Sequence, residues 1–441
     1  MQMGHIYAAA QLTIIAAAGE DPTYGLPGIV PHLRGNASFE KIGPITLSAV
    51  AFPEVCIAES RWSTRAWTFQ EAFLSKRRLF FTDRHVVFAC NTKTCRDGIG
   101  FHRTNKDKQW LLNWLPIQEK GGKHYEEPPM LSAKRLLKEY SMRNLSYEVD
   151  ALNAIVGALN ALFERSLYHV WGVPILHERD AQKPYKDNLP PDPERGHFAM
   201  LWYHDRPCQR RHSFPSWSSV GWTGPISWNS GWGINSHAND TTTASTKGII
   251  LRTGNTRHLL SSFAPKETWS STRVSQLLEI STEAANLRLL LGERTPKSVG
   301  QSEVSENKDC PIIAFTFGKG VSIVVEPHWD VPKAKLEGLR FLKAILIHKS
   351  DSDAVSRGVV EDCVLLLKPT GDHYERIGLI WMDMEADEES WPPLHHGFTM
   401  CDKGFNILDD NDSRTLAIRR SYSNCDPWWR KLFRPETVLL G

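Results

Sequence analysis

The stretch Ser60–Glu71 reads SRWSTRAWTFQE and places one carboxylate among two tryptophans and two arginines. Its spacing predicts one continuous helix that extends to about residue 73. At 100° per residue, Trp62 and Phe69 fall on one apolar stripe, whereas Trp67 and Glu71 fall on the opposite side with further apolar neighbours. A carboxylate on an apolar face is either paired with a buried cation or has its ionisation shifted for chemistry.

Pairing with a neighbouring arginine is the favoured explanation for Glu71. Arg65, Arg77 and Arg78 are close in sequence, and such a pair would fix the helix to an adjacent sheet. The alternative is a partly desolvated carboxylate beside Trp67 that takes part in chemistry. The sequence leaves both explanations open.

The composition is that of a globular protein with two or three domains. The chain has 441 residues, of which 41% are hydrophobic and 23% are charged. The 52 Lys and Arg residues nearly balance the 50 Asp and Glu residues, which gives a formal charge of +2. This balance disfavours a nucleic-acid or anionic-membrane partner. The 16 tryptophans indicate aromatic-rich packing.

The eight cysteines do not form the pattern of a disulfide framework or of a metal site. They are spread along the chain without the density of a stapled secreted domain, which favours reduced thiols in a cytoplasmic protein. One local cluster, Cys90 and Cys95 with His85 and His102, lacks the C-x-x-C spacing of zinc ribbons. We therefore predict no bound metal and no resident cofactor.

No membrane span is expected, because the sequence contains no uncharged apolar run of about 18 residues. Residues 6–18, IYAAAQLTIIAAA, have the composition of a signal-peptide core, so secretion is an alternative. No Lys or Arg precedes this run, and a Gly-rich turn follows it. These flanks favour a helix end that leads into a buried strand.

Hydrophobic periodicity predicts an incomplete α/β part, a helical middle and a β-rich C-terminal region, which together make an α+β protein. The predicted elements are a helix and a strand within residues 3–18, a strand at 45–52, the helix at 62–73, strands at 78–82 and 85–90, helices within 131–162, and strands spread over 249–382. The predicted domains are residues 1–100, 101–195 and 196–441.

An aromatic run at residues 214–228 carries Trp217 and Trp222 beside Pro and Gly. Tryptophans placed in this way form either an exposed sugar- or peptide-binding face or an aromatic clamp where two domains meet. The clamp is favoured, because Trp side chains are usually largely buried.

Several blocks resemble one family of fungal proteins. Residues 3–19, Trp62 with Arg65-Ala-Trp-Thr-Phe-Gln-Glu71, and Arg78-Leu-Phe-Phe81 are similar to the second half of the heterokaryon-incompatibility (HET) domain. Blocks between residues 140 and 230 resemble the segment that commonly follows that domain. The family-motif residues implied by the resemblance, with an expected structural role, are Trp62, Arg65, Trp67, Gln70, Arg78, Trp217 and Trp222.

The resemblance does not include the front half of the HET domain. HET domains begin with an SYVWG-like strand and carry a WIDSLCIDQ-like block, and this sequence contains neither. We therefore expect an N-terminally truncated HET domain with an incomplete α/β fold that is similar to TIR and flavodoxin domains. Loss of an inner strand from a parallel sheet would expose an apolar edge.

The resemblance implies fungal non-self recognition and programmed cell death, exerted through protein partners. A catalytically silent interaction or regulatory module is one alternative. Another is a nucleotide-cleaving enzyme, since HET domains resemble Toll/interleukin-receptor-type (TIR) domains, several of which cleave NAD with a Glu in W-x-x-x-E spacing, as in Trp67–Glu71. A desolvated Glu71 would hold ribose hydroxyls and stabilise an oxocarbenium-like centre, with NAD as the substrate. A non-enzymatic role is favoured.

Overall fold

The computed structural model places the chain in two compact units, Met1–Gly172 and Val173–Gly441. The residues that the structure describes are 3–29, 34, 39–48, 52–90, 94–96, 117–120, 123–126, 129–162, 167–176, 200–228, 243–244, 248–260, 274–291, 311–316, 322–325, 327–349, 359–385, 398–401 and 428–441. The finer domain limits predicted from the sequence, at residues 100 and 195, stay a prediction.

The first unit contains helices and short strands. Its helices are α1 (Met3–Ala9), α2 (Pro53–Ala58), α3 (Arg61–Thr64), α4 (Thr68–Leu74), α5 (Pro129–Ser141) and α6 (Asn153–Asn160). Its strands are β1 (Thr13–Ala16), β2 (Phe39–Ile42), β3 (Ile45–Ser48), β4 (Arg77–Phe81), β5 (Val86–Cys90), β6 (Thr94–Arg96), β7 (Ile117–Lys120), β8 (Lys123–Glu126) and β9 (Leu167–Val170).

A four-stranded sheet with the order β1-β4-β5-β6 forms the centre of the first unit. β1 and β4 are parallel, with Ile15 opposite Phe80, and the two later pairs are antiparallel. The connection from β1 to β4 contains α2, α3 and α4, since parallel neighbours need a long crossover. This arrangement confirms the predicted mixed α/β class, whereas the similarity to TIR and flavodoxin folds is not confirmed.

Alternating burial explains why these strands form where the sequence predicts them. Ile15 and Phe80 are each 1% exposed, whereas Ile14 is 57% exposed. This period of two is the pattern of a half-buried strand. The predicted strand at 45–52 is present as β3, and residues 49–51 lie outside the described part of the chain.

The helix predicted across Ser60–Glu71 is wrong in one respect, because the structure divides it into α3 and α4. Arg65 ends α3 in an extended conformation with φ −86° and ψ 136°. Its neighbour Ala66 donates its backbone N–H to the carbonyl oxygen of Asn144 at 2.9 Å. The backbone at the break is therefore paired with a distant segment instead of with the preceding helical turn.

The middle of the chain is not purely helical. β7, β8 and β9 lie in the same part of the chain as α5 and α6, so the predicted helical middle is not confirmed. Two glycines do pack closely: the Cα of Gly4 on α1 lies 3.2 Å from where a Cβ on Gly157 of α6 would be. That Cβ would also meet the side-chain oxygen of Gln70 at 2.1 Å. A side chain at position 157 therefore has no room.

The second unit is dominated by β-structure, which confirms the β-rich C-terminal region. Its strands are β10 (Val173–Leu176), β11 (Thr243–Ala244), β12 (Gly248–Thr253), β13 (Thr256–Leu259), β14 (Val274–Leu290), β15 (Ile312–Thr316), β16 (Ser322–Val325), β17 (His328–Trp329), β18 (Phe341–Lys349), β19 (Val359–Thr370), β20 (His373–Glu385), β21 (Phe398–Cys401) and β22 (Arg434–Leu440). Twelve of them form one sheet, in which the long β14 pairs with β12, β15, β18 and β22.

Candidate functional site

The carboxylate of Glu71 is held by two neutral donors from different helices. The hydroxyl of Tyr7 on α1 donates to Oε1 at 3.1 Å, and the indole Nε1 of Trp62 on α3 donates to Oε2 at 3.0 Å. Glu71 itself lies in the first turn of α4 and is half-buried. One carboxylate thus joins three helices, with one hydrogen bond on each of its oxygens.

The break between α3 and α4 makes this contact feasible. Trp62 and Glu71 are nine residues apart, which would place them on opposite sides of a continuous helix. The extended backbone at Arg65 turns α3 away from the axis of α4. The break at Arg65, which hydrophobic periodicity did not predict, therefore allows Trp62 to donate to Glu71.

The predicted ion pair between Glu71 and a nearby arginine is wrong. Arg77 donates to the backbone oxygen of Gln11 at 3.4 Å, and Arg65 is exposed. Arg78 on β4 is 1% exposed and donates to the carbonyl oxygen of Ala72 on α4 at 2.7 Å. Burial lowers the pKa of Arg78 to about 10, so this guanidinium remains a cation at neutral pH. Arg77 and Arg78 thus donate to backbone carbonyl oxygens, and the hydrogen bonds of Glu71 come from neutral donors.

A different arginine, Arg143, reinforces the break between the two helices. Its guanidinium donates to the carbonyl oxygen of Arg65 at 3.1 Å and to the hydroxyl of Thr68 at 3.0 Å. It also lies over the rings of Phe69 and Trp62, at 5.0 and 6.0 Å from their centroids. Arg143 therefore satisfies backbone that the broken helix leaves unpaired and adds cation–π contacts to the same aromatic side chains.

Electrostatics at the site follow from burial and from the charge on Glu71. The pKa of the Tyr7 phenol is raised to about 12, first by burial and then by the charge and the hydrogen bond of Glu71. Tyr7 is therefore protonated at neutral pH and acts as the donor. Burial lowers the pKa of Arg143 to about 10, while Glu71 opposes that change as one of three neighbouring groups.

Gln70 on α4 and Trp67 directly before it, two further residues of the predicted family motif, have different surroundings. Gln70 is 1% exposed and donates from Nε2 to the carbonyl oxygen of Asn153 at 2.9 Å, which connects α4 to the start of α6. Trp67 precedes the first residue of α4 and is half-buried. The hydrogen bonds to the Glu71 carboxylate come from Tyr7 and Trp62, and not from the predicted Trp67.

Trp217 and Trp222 lie in the core of the second unit. They are 1% and 2% exposed. Trp217 donates from Nε1 to the carbonyl oxygen of Gln276 on β14 at 2.8 Å, and Trp222 donates to that of Ser216 at 2.8 Å. Side chains buried to this extent do not form an exposed binding face, so that alternative is wrong for these two residues.

Arg376 forms a buried polar cluster in the second unit, and sequence reasoning did not single it out. Its side chain is fully buried, and its Nε donates to Oδ2 of Asp330 at 2.8 Å. The terminal nitrogens donate to the carbonyl oxygens of Met200 and Trp202, and the guanidinium lies 3.5 Å from the centroid of the Trp202 ring. The stretch Glu375–Leu379 contains this arginine, but a single charge in a strand is usually exposed.

Metal and membrane signals are weak among the residues that the structure describes. Those residues contain no group of three or more His, Cys, Asp or Glu side chains able to hold a metal ion. Cys90 is half-buried and Cys95 is exposed, while His102 lies outside the described residues. No helix in the described ranges is long and apolar enough to cross a membrane.

Comparison with known proteins yields a match to the first part of the chain. No curated protein and no solved structure matches the sequence. A family model does match, and its description is "Heterokaryon incompatibility protein (HET)". The match covers residues 1–71, so the resemblance of later residues such as Arg78, Trp217 and Trp222 stays a prediction. Because the matched segment contains Trp62 and ends at Glu71, the predicted resemblance to a HET domain is confirmed over residues 1–71.

Proposed function

We propose that this chain is a fungal protein of heterokaryon incompatibility, which recognises non-self and promotes programmed cell death through protein partners in the cytoplasm. The observation that carries this proposal is the family match over residues 1–71. The balanced net charge of +2 fits a protein partner better than a nucleic acid.

The geometry around Glu71 favours a non-enzymatic role for the HET part. The carboxylate is engaged by Tyr7 and Trp62, and Arg143 holds the adjoining break. Every one of these groups has a packing function, because together they join α1, α3 and α4. We therefore assign the signalling role to a surface of the first unit and not to a reaction at Glu71.

The edge of the sheet formed by β1 supports a protein partner. β1 is an edge strand of the described four-stranded sheet. Ile14 on β1 is 57% exposed, and Leu12, directly before the strand, is 42% exposed. An exposed apolar edge strand pairs readily with a strand of another chain. Contact at this edge is the simplest way for the first unit to engage a partner.

A matched pair of substitutions tests this role. The full chain would be expressed under an inducible promoter in a filamentous fungus, and dye uptake and hyphal growth would be followed after fusion with strains of differing compatibility. Ile14→Lys places a charge on the β1 edge, whereas Ile42→Lys changes a side chain of similar exposure, 58%, on the β2–β3 hairpin. We expect wild type and Ile42→Lys to cause death and Ile14→Lys to lose it. If the wild-type chain causes no death in any strain pairing, the proposal is overturned.

NAD cleavage is the second candidate, and one observation favours it. Glu71 accepts hydrogen bonds from two neutral groups, Tyr7 and Trp62, and neither of them neutralises its negative charge. An ionised carboxylate has about four lone-pair positions, and two hydrogen bonds leave room for ribose hydroxyls. This half-buried carboxylate thus retains the features that an oxocarbenium-stabilising group needs.

Measurement of NAD separates the two candidates. NAD would be followed in cells and with purified chain for wild type, Glu71→Gln and Glu59→Gln, where Glu59 is an exposed carboxylate of the same unit. Constant NAD in all three, with cell death intact in Glu71→Gln, supports the interaction role. A fall in NAD that only Glu71→Gln abolishes, with an unchanged melting curve, establishes the enzyme instead.

A further inference from the structure

The core of the second unit contains three polar atoms that have no hydrogen-bond partner among the described residues. They are Nε1 of Trp202, Nε2 of His204 and Oδ1 of Asp330. The three residues are 0%, 1% and 0% exposed, so bulk water does not reach them. Buried polar groups in folded proteins are nearly always hydrogen-bonded, to protein or to ordered water.

These residues surround one guanidinium. Arg376 lies 3.5 Å from the centroid of the Trp202 ring and binds Oδ2 of Asp330 at 2.8 Å. The His204 ring packs edge-on against Trp202, with 5.2 Å between the ring centroids. His204 also interacts electrostatically with both Asp330 and Arg376. The three residues therefore belong to a single cluster around Arg376.

The protonation state of each group is fixed by its other contacts. Nδ1 of His204 lies 2.9 Å from the carbonyl oxygen of Pro225, so Nδ1 carries a hydrogen and donates it. Burial lowers the pKa of His204, which keeps the ring neutral and leaves Nε2 as an acceptor. The carboxylate oxygen of Asp330 is also an acceptor, whereas the indole N–H of Trp202 is a donor. The cluster offers one donor and two acceptors.

We propose that Trp202, His204 and Asp330 form a binding site for a single buried water molecule. Water accepts one hydrogen bond from the indole and donates one to the imidazole and one to the carboxylate. This count agrees with the roughly three hydrogen bonds that a buried water usually makes. The water joins the segment 200–228, which carries Trp202 and His204, to Asp330 directly after β17.

Other small species do not match this pattern of donors. An ammonium ion has no lone pair for the indole N–H of Trp202. An alcohol has one hydroxyl hydrogen and would leave either His204 or Asp330 without a donor. A metal ion would find two ligands and would face the N–H hydrogen of the indole. Only a molecule with two donors and one acceptor satisfies all three atoms.

Two measurements on the full-length wild-type protein test the site. With ¹⁵N-labelled indoles, we expect a long-lived cross-peak to water at the Trp202 Nε1 hydrogen and none at Trp217, whose indole binds the carbonyl oxygen of Gln276. Trp202→Phe assigns the peak by removing it, and if that variant does not fold, the crystal structure of the wild type decides the question. A crystal structure at a resolution that reveals ordered water should show one density peak within hydrogen-bond distance of all three atoms.

The outcomes are mutually exclusive. A water peak with all three contacts supports the site. A direct hydrogen bond from His204 to Asp330, or an indole of Trp202 that gives no more water cross-peak than Trp217, would overturn it. The result does not depend on cell death or NAD, so it remains informative whatever the outcome for the proposed function.

Discussion

The buried imidazole of His169 makes the stability of the first unit sensitive to mild acid. His169 lies on β9 and is 4% exposed. Burial alone lowers its pKa from 6.5 to about 4. In the folded protein the ring therefore stays neutral at pH values where the unfolded chain takes up a proton. The contribution to stability is complete above pH 6.5 and is lost as the pH falls towards 4.

The size of this effect follows from the two pKa values. Each unit of pKa difference is about 1.4 kcal/mol, so the difference between 6.5 and about 4 is worth about 3 kcal/mol in full. Between pH 7 and pH 5 the loss from this residue is about 2 kcal/mol, because the unfolded chain is then almost fully protonated at His169. Other titrating groups add their own pH dependence, which a variant without the imidazole leaves in place.

Urea unfolding of the full chain at pH 7 and pH 5 measures this contribution. The wild type should lose about 2 kcal/mol more than His169→Leu between the two values. His5→Gln, a change to an exposed histidine of the same unit, serves as the control and should retain the wild-type loss. An equal loss in wild type and His169→Leu would refute the reasoning. An NMR titration of the wild type provides a second check, since the His169 ring should titrate near pH 4 and not near 6.5.

Three further substitutions test the charges and the packing. Glu71→Gln should lower the pKa of the Tyr7 phenol from about 12. An ultraviolet titration, with Tyr7→Phe to identify the Tyr7 signal, that shows no change would contradict the hydrogen bond between Tyr7 and Glu71. Gly157→Ala should lower the free energy of unfolding in urea by about 1–3 kcal/mol, because the added methyl group has no room between α6 and α1. Helix propensity alone would favour alanine by about 1 kcal/mol. A stabilised variant would therefore show that the close approach of α1 and α6 is wrong. Arg376→Met should lower the free energy of unfolding by about 3–5 kcal/mol, because it removes one partner of the buried ion pair with Asp330. The control Arg252→Met, at a surface ion pair, should lower it by at most about 1 kcal/mol. Equal losses in the two variants would contradict the buried ion pair.

Much of the first unit was predictable because its strands follow a local rule. Side chains on β1, β4 and β5 alternate between buried and exposed, and such a period of two is visible in a few residues of sequence. The long runs of the second unit gave a β-rich prediction for the same reason.

The break between α3 and α4 was not predictable, because the residues that cause it are distant in sequence. Asn144 and Arg143 supply the hydrogen bonds at the break, and the bond from Arg143 to Arg65 joins residues 78 positions apart. Propensity and spacing within Ser60–Glu71 do not contain that information. The burial of Arg376 was not predicted for the same reason, since its hydrogen bond to Met200 joins residues 176 positions apart.

The segment that matches the HET family depends on residues outside the match. β1 lies within residues 1–71, but its parallel partner β4 does not. Gln70 is bound to Asn153, and Arg143 holds the break beside Trp62. The carboxylate of Glu71 therefore keeps its position only when the chain beyond residue 71 is folded around it. The compact unit Met1–Gly172, and not the matched segment alone, therefore contains the contacts of Trp62, Gln70 and Glu71.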